Sequence, residues 1–248
     1  MLMAEMTQVY LGELMIEEPV TALTDIIAGL TGIFAFGVLK GWRSQKKENR
    51  WLSRYFIFIG LGLICAGLLG HAFFYQTGYN WNWKTLGWTG SALGIFCMER
   101  GSILSLRTQL HENVVQGLLI FQVIKLLAFF AFIYQPGPES FEFVKANSAL
   151  GLGGIVLGSQ LFLFIRDRRE GRTFIIGGIL VGVITAIVYN QQITLSKWFN
   201  YHDISHLMTA LSIFIMYLGV RKLMDPSDEG YSSMGDLASG DKKISQQT

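Results

Sequence analysis

Long apolar runs separated by short polar segments dominate this chain, falling near 20–40, 54–76, 83–99, 113–134, 147–165, 173–190 and 203–221. A helix needs roughly 17 to 25 residues to cross a hydrocarbon core of about 30 Å, so each run predicts a membrane span. In lipid the backbone must satisfy its own hydrogen bonds, which makes every span helical. The pattern therefore predicts an all-α, polytopic membrane protein with a seven-transmembrane helix bundle at 20–222. An extracytoplasmic segment, 1–19, precedes it. A tail rich in Ser, Gly, Asp and Lys, 223–248, follows and is expected to be a disordered cytosolic segment. The run at 83–99 is the shortest of the seven.

Composition supports this class. Of 248 residues, 51% are hydrophobic and only 15% charged, with a mean hydropathy of +0.38, too apolar for a soluble domain of this size. A net charge of +2 argues against a nucleic-acid partner. Placement of the basic residues says more: the stretches 40–54, 100–107, 166–172 and 221–243 hold nearly all of them. Only Lys84, Lys145 and Lys197 fall on the opposite side, and Lys125 lies inside a span. The positive-inside rule then predicts an N-terminus outside and a C-terminus in the cytosol of a plasma or inner membrane.

The beginning of the chain carries Glu5, Glu13, Glu17 and Glu18 and no basic region, so span one is expected to act as its own insertion signal. Tyr75, Tyr79, Trp81, Trp83 and Trp88 crowd one interface, and Trp42 and Trp51 the other. Cys65 and Cys97 lie within apolar runs and suggest no disulfide framework. Glycine pairs at 90/94, 154/158 and 178/182 predict close helix packing, and also allow oligomerisation through glycine-rich faces. No span contains a proline, which disfavours a transporter built on broken helices.

Candidate chemistry emerges from depth. His206 lies 15 residues before Arg221, Asp25 15 before Lys40 and His71 17 after Arg54. At about 1.5 Å per residue each stands roughly 22 to 26 Å above the basic boundary, so three separate spans place ionisable groups at one level. His202 is one turn from His206 on the same face. Glu18 and Thr21 lie near the Asp25 face of span one. Three imidazoles with a carboxylate or water form a suitable zinc set, which assigns His71, His202 and His206 as metal ligands. Asp25 is the expected general base, with Glu18 in reserve. Asp203 points about 100° away from His202 and is expected in a capping or supporting role. The plainer alternative keeps His202 interfacial and pairs His206 with Asp25 structurally.

Lys125, with Gln122 one turn before it, is expected to face the bundle interior, either pairing with a polar side chain such as Gln160 or touching substrate. Glu99 and Arg100 read as an interfacial pair at the cytosolic side.

His71 late in span two and the H-x-x-x-H of His202 and His206 at the start of span seven resemble the CREST superfamily of seven-span membrane proteins. That superfamily includes alkaline ceramidases, adiponectin-receptor-like proteins and GPI-lipid remodelling proteins. The resemblance implies a zinc site on these three histidines, on the N-terminal side, and hydrolysis of a lipid amide or ester. Gly67 stands where the family has a serine, and residues 72–98 contain no acid where the family carries an aspartate; Asp25 is the expected replacement. The leading expectation is a zinc-dependent intramembrane hydrolase acting on a membrane lipid. Two alternatives stay open: a non-enzymatic receptor, ligand-binding protein or partner subunit with a structural histidine site, and a small transporter or proton pathway.

Overall fold

The computed structural model describes residues 7–41, 46–134 and 139–225. An antiparallel hairpin, β1 (Gln8–Leu11) and β2 (Leu14–Glu17), opens the chain. Helix α1 (Pro19–Gly41) follows directly. Helix α2 (Lys47–Cys65) continues into a π-helical segment, Ala66–Ala72. Then come α3 (Lys84–Ser105) and α4 (Glu112–Ile133). Helix α5 (Ser140–Ser148) runs through a second π segment, Ala149–Val156, into α6 (Leu157–Asp167). The last two are α7 (Glu170–Asn190) and α8 (Tyr201–Met224). These helices form seven rods, antiparallel in chain order, with one end at the hairpin and the other at the basic loops.

The all-α expectation holds, and six of the rods are long and apolar enough to cross a membrane. The rod of α3 is not among them, because Lys84, Glu99 and Arg100 and its glycines dilute its apolar content. The rod beginning with α5 starts well before the predicted run at 147, since Ser140–Lys145 adds amphipathic helical turns tied by a Lys145–Glu142 ion pair. Helix α8 extends to Met224, and the expected tail beyond 225 lies outside the described residues. The hairpin is an element that the apolar periodicity did not predict.

Close backbone approach sets the packing. A Cβ on Gly60 would lie 2.7 Å from the Gly29 carbonyl oxygen, one on Gly90 would lie 2.5 Å from Gly62 Cα, and one on Gly219 would lie 2.6 Å from the Gly171 oxygen. Without lipid-phase hydrophobic attraction between helices, such contacts gain dispersion energy by bringing backbones together. Gly90 and Gly178 of the predicted faces are thus used inside the bundle, whereas Gly158 has open space on its Cβ side. The main core joins Leu39, Phe56, Met98, Ile175, Met216 and Val220 across α1, α2, α3, α7 and α8. It lies toward the basic end and leaves the polar residues of α1, α2 and α8 at the hairpin end.

Candidate metal centre

Each element delivers its polar residue by a specific local device. Glu17, buried at the end of β2, accepts from the Tyr75 backbone N–H at 3.2 Å and the Tyr79 hydroxyl at 2.9 Å, pinning the hairpin to the α2–α3 connection. The next residue, Glu18, has φ +42°, a left-handed conformation unusual for glutamate, and Pro19 starts α1 in the position proline favours. This forced turn directs the Glu18 carboxylate onto His71, with Oε2 2.6 Å from Nδ1. Burial alone would push the Glu18 carboxyl up, but the hydrogen bond to His71 and the field of His71, His202 and Lys84 outweigh it and hold the carboxyl below its ordinary value.

His71 lies in the π segment Ala66–Ala72, whose wider turn ends with the Phe73 N–H donating to Leu68 O at 2.9 Å. Such segments are rare and concentrate at functional sites. With a strained glutamate and a π turn both acting on His71, two departures from local preference meet at one side chain.

Helix α8 begins with a reciprocal cap. The Asn200 side chain accepts from His202 N at 2.8 Å, and Asp203 Oδ2 accepts from Asn200 N at 2.6 Å. The other Asp203 oxygen accepts from Thr21 Oγ1 at 2.7 Å, so this fully buried carboxylate fastens α8 to α1. That fastening sets the rotation of α8 and brings His206 Nδ1 to 3.4 Å from Asp25 Oδ1 and 3.3 Å from Thr24 Oγ1.

Asp25 is the hub. It is 1% exposed, and neither carboxylate oxygen has a hydrogen-bond partner among the described residues. Oδ2 stands 3.8 Å from His71 Nε2. Asp25, His71 and His206 each offer one ligand atom, all within 4.8 Å of one another. Donors bound to zinc at about 2.0 to 2.1 Å in a tetrahedron lie roughly 3.3 Å apart, close to the 3.4 Å His206–Asp25 separation. Glu18 on the far nitrogen of His71 leaves Nε2 facing Asp25, the carboxylate–histidine arrangement that fixes the tautomer of a metal-ligating imidazole. A buried carboxyl with no hydrogen-bond partner among the described residues, flanked by two imidazole nitrogens at 3.8 and 3.4 Å, is a donor set that fits a divalent ion.

The predicted residues are thus brought together with altered places. His202 stands beside the trio, its ring centroid 5.8 Å from that of His71 and 6.3 Å from that of His206, and lies against Tyr201 and Tyr189. Asp25, expected as a base, sits among the ligand atoms, and Glu18 is engaged with His71. Gly67 is also explained: a Cβ there would be 2.8 Å from Ala22 O and 3.0 Å from Asp25 Cβ. Helix α1 occupies the space a side chain at position 67 would take and brings Asp25 with it.

Lys125 faces the bundle interior as expected, but with partners other than Gln160. Its ammonium lies 2.9 Å from Glu99 Oε1 and bonds Asn147 Oδ1, while Gln160 bonds Ser102 and Arg172 instead. Glu99 is fully buried and pairs with Lys125, whereas its neighbour Arg100 stacks on Trp51. Thr24 was missed by sequence reasoning, since a threonine in an apolar helix carries no distinguishing signal until its partner is known.

A model of a family described as of unknown function, DUF6962, matches residues 20–225, from the second residue of α1 to the residue after α8. No curated protein and no solved structure matches the chain. The match takes in every residue of the histidine centre except Glu18, and the chain belongs to this family of unknown function, DUF6962.

Proposed function

We propose that this chain is a multi-pass membrane protein of seven spans, N-terminus outside and C-terminus in the cytosol, that uses a zinc centre to hydrolyse an amide or ester bond of a membrane lipid. The observation that carries the reading is the buried carboxylate of Asp25, with no hydrogen-bond partner among the described residues, set between two imidazoles, one of them oriented by Glu18. Asp25, His71 and His206 would hold the ion, with His202 at its edge. A bound zinc supplies Lewis-acid polarisation of a carbonyl and lowers the pKa of water toward neutrality.

The chain's own residues do the rest. Glu18 fixes the His71 tautomer, Asp203 and Thr21 set the rotation of α8, and Thr24 offers a hydroxyl beside His206. His202 stands beside the trio without supplying one of its ligand atoms, which makes it the candidate proton carrier for the leaving group. The constellation resembles that of the CREST superfamily, with Asp25 in place of the aspartate that family carries after its span-two histidine.

A second reading, a non-hydrolytic receptor or partner subunit with a structural metal, is favoured by one observation. All three nearby carboxylates have structural employment: Glu18 on His71, Asp203 in the α8 cap, and Asp25 among the ligand atoms. The transporter reading loses support because Lys125 pairs away from the histidine layer.

Metal analysis of the purified protein decides first. One divalent ion per chain, lost in His206→Ala and in Asp25→Ala, is expected. Metal content unchanged by both substitutions would overturn the site. A chelator-sensitive release of fatty acid from a panel of lipid amides and esters then separates hydrolase from structural metalloprotein.

A further inference from the structure

Away from the histidine centre, the middle of the bundle holds a second polar cluster on α3, α4 and α5. Glu99 is 0% exposed, Gln122 0% and Asn147 5%. Lys125 bridges Glu99 and Asn147, and Gln122 donates through Nε2 to Phe96 O. These bonds leave Glu99 Oε2, Gln122 Oε1 and Asn147 Nδ2 fully buried with no partner among the described residues. Two acceptors and one donor therefore remain open. Two residues beyond Asn147 the chain enters its second π segment, Ala149–Val156. Gly151 in that segment faces the cluster, where a Cβ would meet Glu99 Oε1 at 2.5 Å, so only glycine leaves the carboxylate its place.

We propose that Glu99, Gln122, Lys125 and Asn147 form a second site, sharing no residue with the histidine centre, that binds water drawn from the basic end of the bundle. The open groups define the ligand. It must donate twice and accept once, as one water does. It must also be neutral, because Glu99 repels an anion, Lys125 repels a cation, and the two already balance each other. Buried waters occur where such polar atoms lack partners and commonly make about three hydrogen bonds.

A route is built into the same elements. Ser102 lies on the Glu99 face of α3, one turn toward the basic end. Gln160 Nε2 donates to Ser102 Oγ at 3.0 Å, Arg172 Nη1 donates to Gln160 Oε1 at 3.2 Å, and Arg172 pairs with Asp167 at 2.7 Å at the helix ends. A chain of hydrogen-bonded side chains thus runs from the basic loops through Arg172 and Gln160 to Ser102, one helical turn from Glu99.

An experimental density map of the wild-type protein, at a resolution that shows other buried waters, tests the site itself. A solvent peak within hydrogen-bond reach of Glu99 Oε2 and of Gln122 Oε1 or Asn147 Nδ2 is expected; a dry, closed cluster in that map overturns the proposal. The route is tested with Ser102→Cys in a chain whose Cys65 and Cys97 are replaced by serine, using a water-soluble methanethiosulfonate on sealed vesicles. Modification faster from the face bearing Arg166–Arg172 is expected. No modification, or faster modification from the hairpin face, overturns entry from the basic end. Neither measurement depends on zinc or hydrolysis.

Discussion

Gly67→Ser adds a side chain where helix α1 meets the π segment that carries His71. The added Cβ would stand 2.8 Å from the Ala22 carbonyl oxygen and 3.0 Å from Asp25 Cβ, inside the roughly 3.5 to 4.0 Å of a favourable contact. Both neighbours belong to α1, and one is main chain, so a rotamer change cannot relieve the overlap. The helices must separate by about 0.5–1 Å, an overpacking that typically costs about 1 to 3 kcal/mol. For a chain of this length that corresponds to a Tm lower by about 2 to 12 °C. The same separation draws Asp25 away from His71, so metal retention falls as well. Thermal unfolding in detergent, followed by tryptophan fluorescence, and metal content by mass spectrometry read the two effects on one preparation. A Gly67→Ser protein with an unchanged or raised Tm and full metal content would refute the reasoning, because α1 and α2 then could not meet at Gly67 as described.

Other substitutions probe the supports around the centre. Glu18→Gln keeps a hydrogen-bond partner near His71 but removes its charge, and should weaken metal affinity by about 10- to 100-fold; equal affinity in a competition titration would refute the orienting role. Thr21→Val removes the side-chain donor to buried Asp203 and should destabilise by about 1 to 3 kcal/mol, with metal content retained at low temperature; an unchanged unfolding midpoint would count against the α1–α8 fastening. The Tyr79 hydroxyl, whose hydrogen bond to Glu17 raises its pKa above the ordinary 10.0, binds its proton more tightly folded than unfolded. Its contribution is therefore complete below pH 10 and lost as pH rises through the folded value. Wild type should lose stability in that alkaline window relative to Tyr79→Phe, and parallel stability curves for the two would exclude the effect.

Much of this arrangement was legible in the chain. Seven helical rods follow from apolar run length, and the shared level of Asp25, His71 and His206 follows from counting helical rise. Both are one-dimensional properties that survive any packing. The role of Asp203 was partly visible for the same reason, since a cap depends on residues adjacent in sequence. Counting depth does not say which way a helix is turned. His202 and His206 share a face in sequence, yet the bond from Thr21 to Asp203 rotates α8 so that His206 meets Asp25 while His202 lies against Tyr189 and Tyr201.

Lys125 illustrates the same limit. Its position inside an apolar run required a buried partner, but Gln160, Glu99 and Asn147 were all polar residues within reach of such a demand. Packing of α3 against α4 and α5 chose Glu99 and Asn147. The π turn at His71 and the left-handed backbone of Glu18 are held by tertiary contacts against local preference, so no periodicity announces them. By itself the sequence determined an all-α chain of apolar helices, with a layer of ionisable groups at one depth, because hydrocarbon thickness and helical rise act on each segment separately. Only the tertiary structure decided which of those groups face one another, because helix rotation and close approach depend on neighbouring helices, such as the contact of α1 with Gly67.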